Sequence, residues 1–534
     1  MGPIVAVSVF GSGIAMLCRK LSRWLSIGGI AFQVGCAARN PVIPAGHLPP
    51  PLQPVDVHTA IALDESPAAK VGPATLPDAK KDVFQIPKAL PGGGLPFVTP
   101  PKFAPGATPA ERAAAVREAY PVLVPVSVMV AVGKTVSLPE LEQSALENSP
   151  AIKRATADAA TAHGQVIQAG LYPNPTVGYQ ADQVQPHLRI PEGATFSGAG
   201  QQGGFINQLI KTAGKLTLGQ RVAGFDYINA LVAVRGTQVA VIAQVRTAYF
   251  SALVAQQNAA INKGLADMID EVYNLQLKRV AAGIDAGYEP LQLYAQAVQA
   301  RNAHAQGQET AKAAWKQLAA AVGQPDLAPM DLAGQAAAPA PAIDEDAAKA
   351  RILEQHTDIL TARNTIAQNR TNLVLQRRLP IPDIGTNQYH QYDNAAQAYQ
   401  FGLQIGIQLP LYDRNQGNIH SAQSKIASST LNLEATRNDL FARFAEAYGR
   451  YRANAVAATN YREKVLPSLT QAYQAIIRRY QVEPEKVGFG DIVVAQQNLA
   501  AALQTYSQVL DAQWKAVVDV ANVSQVDELY PTPK

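Results

Sequence analysis

The chain carries its own structural unit twice. Glu147-Asn148-Ser149-Pro150-Ala151-Ile152 parallels Glu354-Gln355-His356-Thr357-Asp358-Ile359, and Pro173-x-Pro175-x-Val177 parallels Pro380-x-Pro382-x-Ile384, both at an offset of 207 residues. Further on, Tyr273 pairs with Tyr473, Arg279 with Arg479 and Ala295-Gln296 with Ala495-Gln496, at an offset of 200. Trp315-Lys316 pairs with Trp514-Lys515 at 199. Self-similarity at a fixed spacing means one supersecondary unit built twice and packed on its copy. The copies span 137–325 and 344–528, joined by an Ala/Pro linker at 326–343 and followed by a short tail at 529–534. The shrinking offset places a length change between 177 and 270, where loops are expected.

Each copy reads in the same order. A helix comes first (138–170, then 344–378), followed by a Pro-flanked strand and a second strand. A very long helix follows (215–282, then 416–482), then a Gly/Pro break and a last helix (290–322, then 491–526). Residues 215–282 contain no proline, so one helix can run roughly 100 Å. Such a helix is stable only when packed along neighbours in a coiled-coil manner. Frequent Ala permits close helix axes. Pro467 should kink or split the second long helix.

The strands decide the class. In 398–410 the residues Tyr399, Phe401, Leu403, Ile405, Ile407 and Leu409 alternate with Gln400, Gly402, Gln404, Gly406 and Gln408. About 11 residues of period-two alternation match a tilted strand crossing an outer membrane. A half-buried strand on a soluble sheet would also alternate. The strands expected at 176–184, 203–210 and 384–392 alternate less cleanly. Four strands cannot close a barrel, and an open edge in lipid leaves backbone groups unpaired. A membrane barrel must therefore be shared: two chains supply eight strands and three supply twelve, and only the larger leaves a pore. Gln and Gly on the inner face suit the open version.

Arg19, Lys20 and Arg23 precede a short apolar core, Leu25–Val34, so residues 1–35 read as an export signal with a possible start at Met16. Val34-Gly35-Cys36 reads as a lipidation site at Cys36, although Gln33 departs from that pattern. The plain alternative is ordinary cleavage near Ala37. No later stretch approaches the about 18 apolar residues of a membrane helix. Residues 36–136 hold 18 of the 37 prolines and read as an extended arm with no core of its own. It is either a spacer or a tether wrapping the body, with a short helix near Pro109–Tyr120. Charged residues are 16% and the net charge is +4, which gives no electrostatic footprint for nucleic acid. Two cysteines, Cys18 and Cys36, exclude a disulfide scaffold.

The tandem repeat, LYPNPTVGY (171–179), FGLQIGIQLPLYDRNQGNIHSA (401–422) and the two Tyr-x5-Arg segments resemble the TolC family of outer-membrane efflux proteins, lipidated metal- or drug-efflux members above all. The resemblance covers 137–528. It implies a mainly α fold with membrane β: a long α-helical coiled-coil barrel plus four transmembrane strands per chain, completed as a trimeric 12-stranded barrel. It also implies a passive duct of a tripartite efflux or type I secretion system, without catalysis or cofactor. Its partners would be a periplasmic adaptor and an inner-membrane pump. The competing readings are a structural or adhesive coiled-coil envelope protein without a pore, and a periplasmic hairpin adaptor.

Candidate residues lie near the hairpin breaks. Asp285, Glu289, Glu483, Glu485 and Asp491 would form acidic rings at the closed end of a trimer, a possible gate. Asp491 also sits where a helix N-cap is wanted. Arg279 and Arg479 are candidate adaptor contacts, or merely a solvated face. Gly283 follows Arg279 before the first break, and Glu483 stands in its place in the second. Gly198-x-Gly200-x-x-Gly203 matches a dinucleotide fingerprint but follows no buried strand, so it reads as a loop. The eight His residues show no ligand spacing and no metal site is expected. Tyr249, Tyr448 and Tyr451 read as helix-packing residues. No nucleophile–base pair is visible, so no enzyme is expected.

Overall fold

A computed structural model describes residues 101–123, 135–182, 200–394, 396–483, 486–526 and 529. The export signal, Cys36, Gly198 and Glu485 lie outside the described residues. The elements run α1 (Pro109–Ala119), β1 (Thr135–Val136), α2 (Leu138–Asn148), α3 (Pro150–Ala169), β2 (Thr176–Asp182), β3 (Gln201–Ile210), α4 (Lys215–Ala281) and α5 (Glu289–Val322). The second copy follows with β4 (Asp331–Leu332), α6 (Glu345–Gln355), α7 (Thr357–Arg378), β5 (Ile384–Asp393), β6 (Ala398–Ile407), α8 (Gln416–Asn460), α9 (Leu466–Val482) and α10 (Phe489–Ser524).

The expected single first helix is two helices in both copies. Ser149 takes φ −57°, ψ 121°, and Pro150 opens α3, since proline's missing N–H costs nothing at a helix start. His356 does the same work in the second copy. It is extended (φ −62°, ψ 132°), and its Nδ1 accepts the Asp358 N–H at 3.1 Å. The end of each last helix sits against this break. Gly323 (φ +82°) closes α5 against Asn148 and Ser149. Gln525 (φ +52°) closes α10, and its amide pairs with Thr357 at 2.8 Å.

The second long helix is interrupted as Pro467 requires. A π-helical turn at Tyr461–Val465 precedes Leu466-Pro467, and such single π turns reset a helix around a local defect. The first long helix runs unbroken for 67 residues. It holds an 18-residue window of mean hydropathy 1.4, so the expectation that no later stretch is that apolar is corrected. At about 1.5 Å per residue α4 is some three times longer than a bilayer core is thick. Its Val245, Tyr249 and Phe250 are buried against the other helices, so α4 is read as a core helix.

That main core holds Trp315, Leu318, Leu440, Phe444, Trp514 and Val517. Phe250 and Trp514 stack with centroids 4.1 Å apart and planes at 3°. The linker crosses this level and is clamped by donors from four helices. Tyr249 donates to Ala333 O, Trp315 Nε1 to Leu327 O at 3.1 Å, Tyr451 to Pro341 O at 2.9 Å and Trp514 Nε1 to Ala336 O at 2.8 Å. The linker's β4 also pairs parallel with β1. The tyrosines are thus packing residues with a backbone partner, and both repeated tryptophans hold the linker.

The four long strands form one antiparallel sheet in the order β2-β3-β5-β6. One face of β2 and β6 shows Val177, Tyr179, Phe401, Leu403, Ile405 and Ile407, all exposed. The other face carries Gln180, Asp182, Gln201, Gln391, Asp393 and Gln400, joined by hydrogen bonds such as Gln201 Nε2 to Asp393 Oδ2 at 3.0 Å and Gln400 Nε2 to the same oxygen at 2.9 Å. Two glycines on that face make room for rings: a Cβ on Gly178 would meet the Phe205 ring and one on Gly402 the Tyr389 ring.

Candidate functional site

Three of the sequence candidates, Arg279, Asp285 and Glu289, meet at the break between α4 and α5. Gly283 takes φ +77°, the left-handed conformation that glycine adopts without Cβ strain. It ends α4, and the Ile284 N–H returns to Arg279 O at 3.1 Å. This turn points Asp285 back at the last turn of α4. Arg279 grips it with two bonds, Nε to Oδ2 at 2.6 Å and Nη2 to Oδ1 at 2.9 Å. Such a bidentate fork is the strongest common ion-pair geometry. Gln276, 1% exposed, donates from Nε2 to Asp285 Oδ2 at 2.9 Å and to Glu289 Oε2.

The fifth member comes from the other repeat. Tyr480 on α9 donates to Asp285 Oδ2 at 2.8 Å and lies 3.0 Å from Gln276 Oε1. The Arg279 guanidinium stacks 4.4 Å above the Tyr480 ring. One carboxylate therefore holds α4, the turn and α9 together. Of the expected residues, Arg279, Asp285 and Glu289 meet here. Gln276 and Tyr480 escaped sequence reasoning, because the duplication marks neither: Ile476 and Val280 stand 200 residues from them.

Charge follows the geometry. Burial pushes the Asp285 carboxyl up, but the bonds from Arg279, Tyr480 and Gln276 outweigh it and leave it below the ordinary carboxylate value. Glu289 goes the other way: burial raises it first, and the neighbouring Asp285 charge adds to that. Burial, with the Asp285 bond, also pushes the Tyr480 hydroxyl far up, so it remains a donor.

The second break is built differently. Glu483 has a negative φ, at φ −131° and ψ 67°, and is not left-handed. Its carboxylate makes surface pairs with Arg479 at 3.4 Å and Lys486 at 3.1 Å. Arg479 is more than half exposed, while Arg279 is largely enclosed by its pair. Asp491 is not the N-cap. Gly488 occupies that position, and Asp491, in the first turn of α10, accepts the Gly488 N–H at 2.9 Å.

At the strand–helix junction a second buried cluster joins the repeats. Asp383 before β5 accepts Lys211 Nζ at 2.9 Å and Lys215 Nζ at 2.8 Å, with the Thr212 N–H at 3.0 Å. It fixes the start of α4 to the start of β5. Among the described residues no cluster of His, Cys, Asp and Glu could hold a metal ion.

Comparison with known proteins now places the molecule. The outer membrane efflux protein family matches residues 141–324 and 349–524, one match on each repeat. The cobalt-zinc-cadmium resistance protein CzcC of Cupriavidus metallidurans is 23% identical over 371 residues, 67% of this chain and 83% of that protein. The fold is shared with the solved structure of CusC, at a TM-score of 0.61 and 17% identity over 80% of this chain and 99% of that one. It is shared also with the open-state MtrE channel of Neisseria gonorrhoeae, at 0.59 and 15% over 73% and 89%. The chain belongs to the outer membrane efflux protein family and is a TolC-like outer-membrane channel of a tripartite efflux system.

Proposed function

We propose that the channel is a homotrimer with one shared twelve-stranded barrel, and that it is a passive duct without catalysis of its own. The observation that carries this is the match between the inner seam of the sheet and its free edges. β2 corresponds to β5 and β3 to β6 in the repeat, so the β3–β5 pair inside one chain is the pattern for β6 meeting β2 of the next. Among the described residues both edges, β2 and β6, are unpaired, and unpaired strand edges in lipid are forbidden. The register follows. Ile206 pairs with Gln388. Ala181 lies 207 residues before Gln388, and Ile407 lies 201 after Ile206, the offset that also separates the left-handed Gly214 and Asn415. Ala181 of one chain should therefore face Ile407 of the next.

Ala181→Cys combined with Ile407→Cys should give a disulfide-linked trimer on oxidation. Moving one cysteine to Gln408, on the opposite face, should not. Equal cross-linking of both pairs, or a protein that stays monomeric in detergent, would overturn the seam.

The acidic break residues Asp285, Glu289, Glu483, Glu485 and Asp491 form the periplasmic gate, with the Arg279–Asp285–Tyr480 network as its lock. Exposed Arg479 offers the better adaptor contact of the two arginines, since Arg279 is taken by Asp285. The adaptor connects the duct to an inner-membrane pump, and Cys36 carries a lipid anchor. The likeness to CzcC makes divalent heavy-metal cations the first cargo to test. A deletion strain regaining cobalt, zinc or cadmium tolerance from the gene supports that cargo, and unchanged tolerance refutes it.

A further inference from the structure

Of the two readings of the N-terminal arm, spacer or tether, its described part fits the tether: it is docked on the first hairpin tip. Thr108 and Glu111 cap α1 reciprocally at 2.8 and 3.4 Å, with Pro109 opening the helix. Val116 and Tyr120, 1% and 3% exposed, pack on Val280 at the end of α4 and on Leu291 at the start of α5. The Tyr120 hydroxyl donates to Gly287 O within the turn at 2.6 Å. From the other side, the Tyr273 hydroxyl donates to Pro121 O at 2.7 Å. The chain thus touches both arms of the hairpin and the turn between them. The second hairpin tip has no such cover among the described residues.

This attachment is small. Its buried apolar cluster is three residues, separate from the main core. A cavity of about 520 Å³ remains beneath it, lined by Arg117, Tyr120, Asp270, Tyr273 and Arg301 among others. Asp270 pairs there with Arg301 through Oδ2 at 2.6 Å, while its buried Oδ1 has no hydrogen-bond partner, which costs the packing around it some stability. The arm is also fixed at a second place on the same helix, where Val136 joins Val245 and Tyr249 in the main core.

We propose that residues 101–123 are a releasable strap that helps to hold the first hairpin tip shut, and that lifting the strap frees the tip to move. The inference rests on the channel reading. The tip is held from one side by α9 through Tyr480 and from the other by α1 through Val116 and Tyr120. Releasing one side frees the turn to swing.

The test uses the full chain carrying Val116→Asp with Tyr120→Phe, and Tyr120→Phe alone as the milder variant. Trypsin cleavage at Arg112 and Arg117 reports release of the strap, and planar-bilayer conductance reports the tip. The double variant should be cut at least about tenfold faster, since cleavage follows local opening. Its time-averaged conductance should rise about twofold or more on that released fraction. Tyr120→Phe should fall between it and the unaltered protein. A strap still protected in the double variant overturns the proposal, as does faster cleavage with unchanged conductance. No conductance from any of the proteins would instead fail the channel reading.

Discussion

The two repeats solve the same structural problems with different residues. A helix break is opened by Pro150 in the first and by the His356 side chain in the second. A last helix is closed by Gly323 in one and by Gln525 in the other. At the hairpin tips the divergence is greatest. The first is locked by a largely buried bidentate pair, a tyrosine from the opposite repeat and a strap from the arm. Among the described residues the second carries exposed pairs at Glu483, the Asp491 bond to the Gly488 N–H, and Val487 in an apolar cluster with Tyr473 and Ile492. Geometry is kept between copies while interaction strength is not. Among the described residues the first turn is therefore held by a largely enclosed ion pair and the second by exposed ones.

The largest difference to exploit lies in the shared core, where the tryptophans repeat but their surroundings do not. Trp514 is 1% exposed and stacked on Phe250. Trp315 is 5% exposed and donates a longer hydrogen bond. Trp514→Ala should cost about 3–5 kcal/mol, through lost burial and the cavity left behind. Trp315→Ala should fall at or below the low end of that range. Thermal unfolding of the detergent-solubilised protein ranks them. Equal losses would mean that the linker hydrogen bond, common to both, dominates over packing.

At the tips, Asp285→Asn should open the first hairpin by roughly 2–3 kcal/mol, because it leaves Arg279 partly buried without its counter-charge. Glu483→Gln at the second should cost under about 1 kcal/mol, as expected for exposed pairs. Hydrogen exchange of 282–288 against 486–488 reads the contrast. Its pH dependence has a definite sign. Asp285 is held below its ordinary value, so its contribution is complete above that ordinary value and is lost as pH falls through the lowered one. Glu289 is raised, so its contribution is complete below the ordinary value and is lost as pH rises through the raised one. Acidification from neutrality should first tighten the first tip and then release it. Asp285→Asn should erase the release, which loses its acid, and should leave a weaker tightening, because burial, the larger cause of the raised Glu289 value, remains. Protection that falls steadily with acid would contradict the assignment.

The sequence exposed the parts that depend on periodicity. The duplication, the Pro-free span of α4 and the alternation of β6 are each written over ten or more residues, and the strand at 398–407 and helix at 215–281 fall where those patterns place them. What stayed hidden depends on single residues meeting across long chain distances. Tyr480 reaches Asp285 from 195 residues away, with no repeat partner to mark it. Tyr120 reaches Gly287 across 167 residues from a segment whose proline content argued for a spacer. The breaks at Ser149 and His356 lay inside the very motif that revealed the repeat. They were hidden because a proline or a capping side chain at a helix start leaves the apolar pattern on both sides intact.

The smallest expected effect is the cleanest separation of backbone from side chain. Gly283 sits at φ +77°, and a Cβ placed there would meet nothing within 4 Å. Gly283→Ala therefore costs only left-handed strain, about 1–2 kcal/mol. Glu483, at the matching position, has φ −131°. Glu483→Gly changes no strained angle, frees the unfolded chain and removes two exposed pairs, for about 0.5–1 kcal/mol. Exchange rates in the two turns should thus rise more for the first substitution than for the second. If the order reverses, surface charge at Glu483 holds its tip more strongly than the left-handed turn holds the other. The lock would then have to be assigned to the second hairpin, with Arg479 and Lys486 in place of Arg279 and Tyr480.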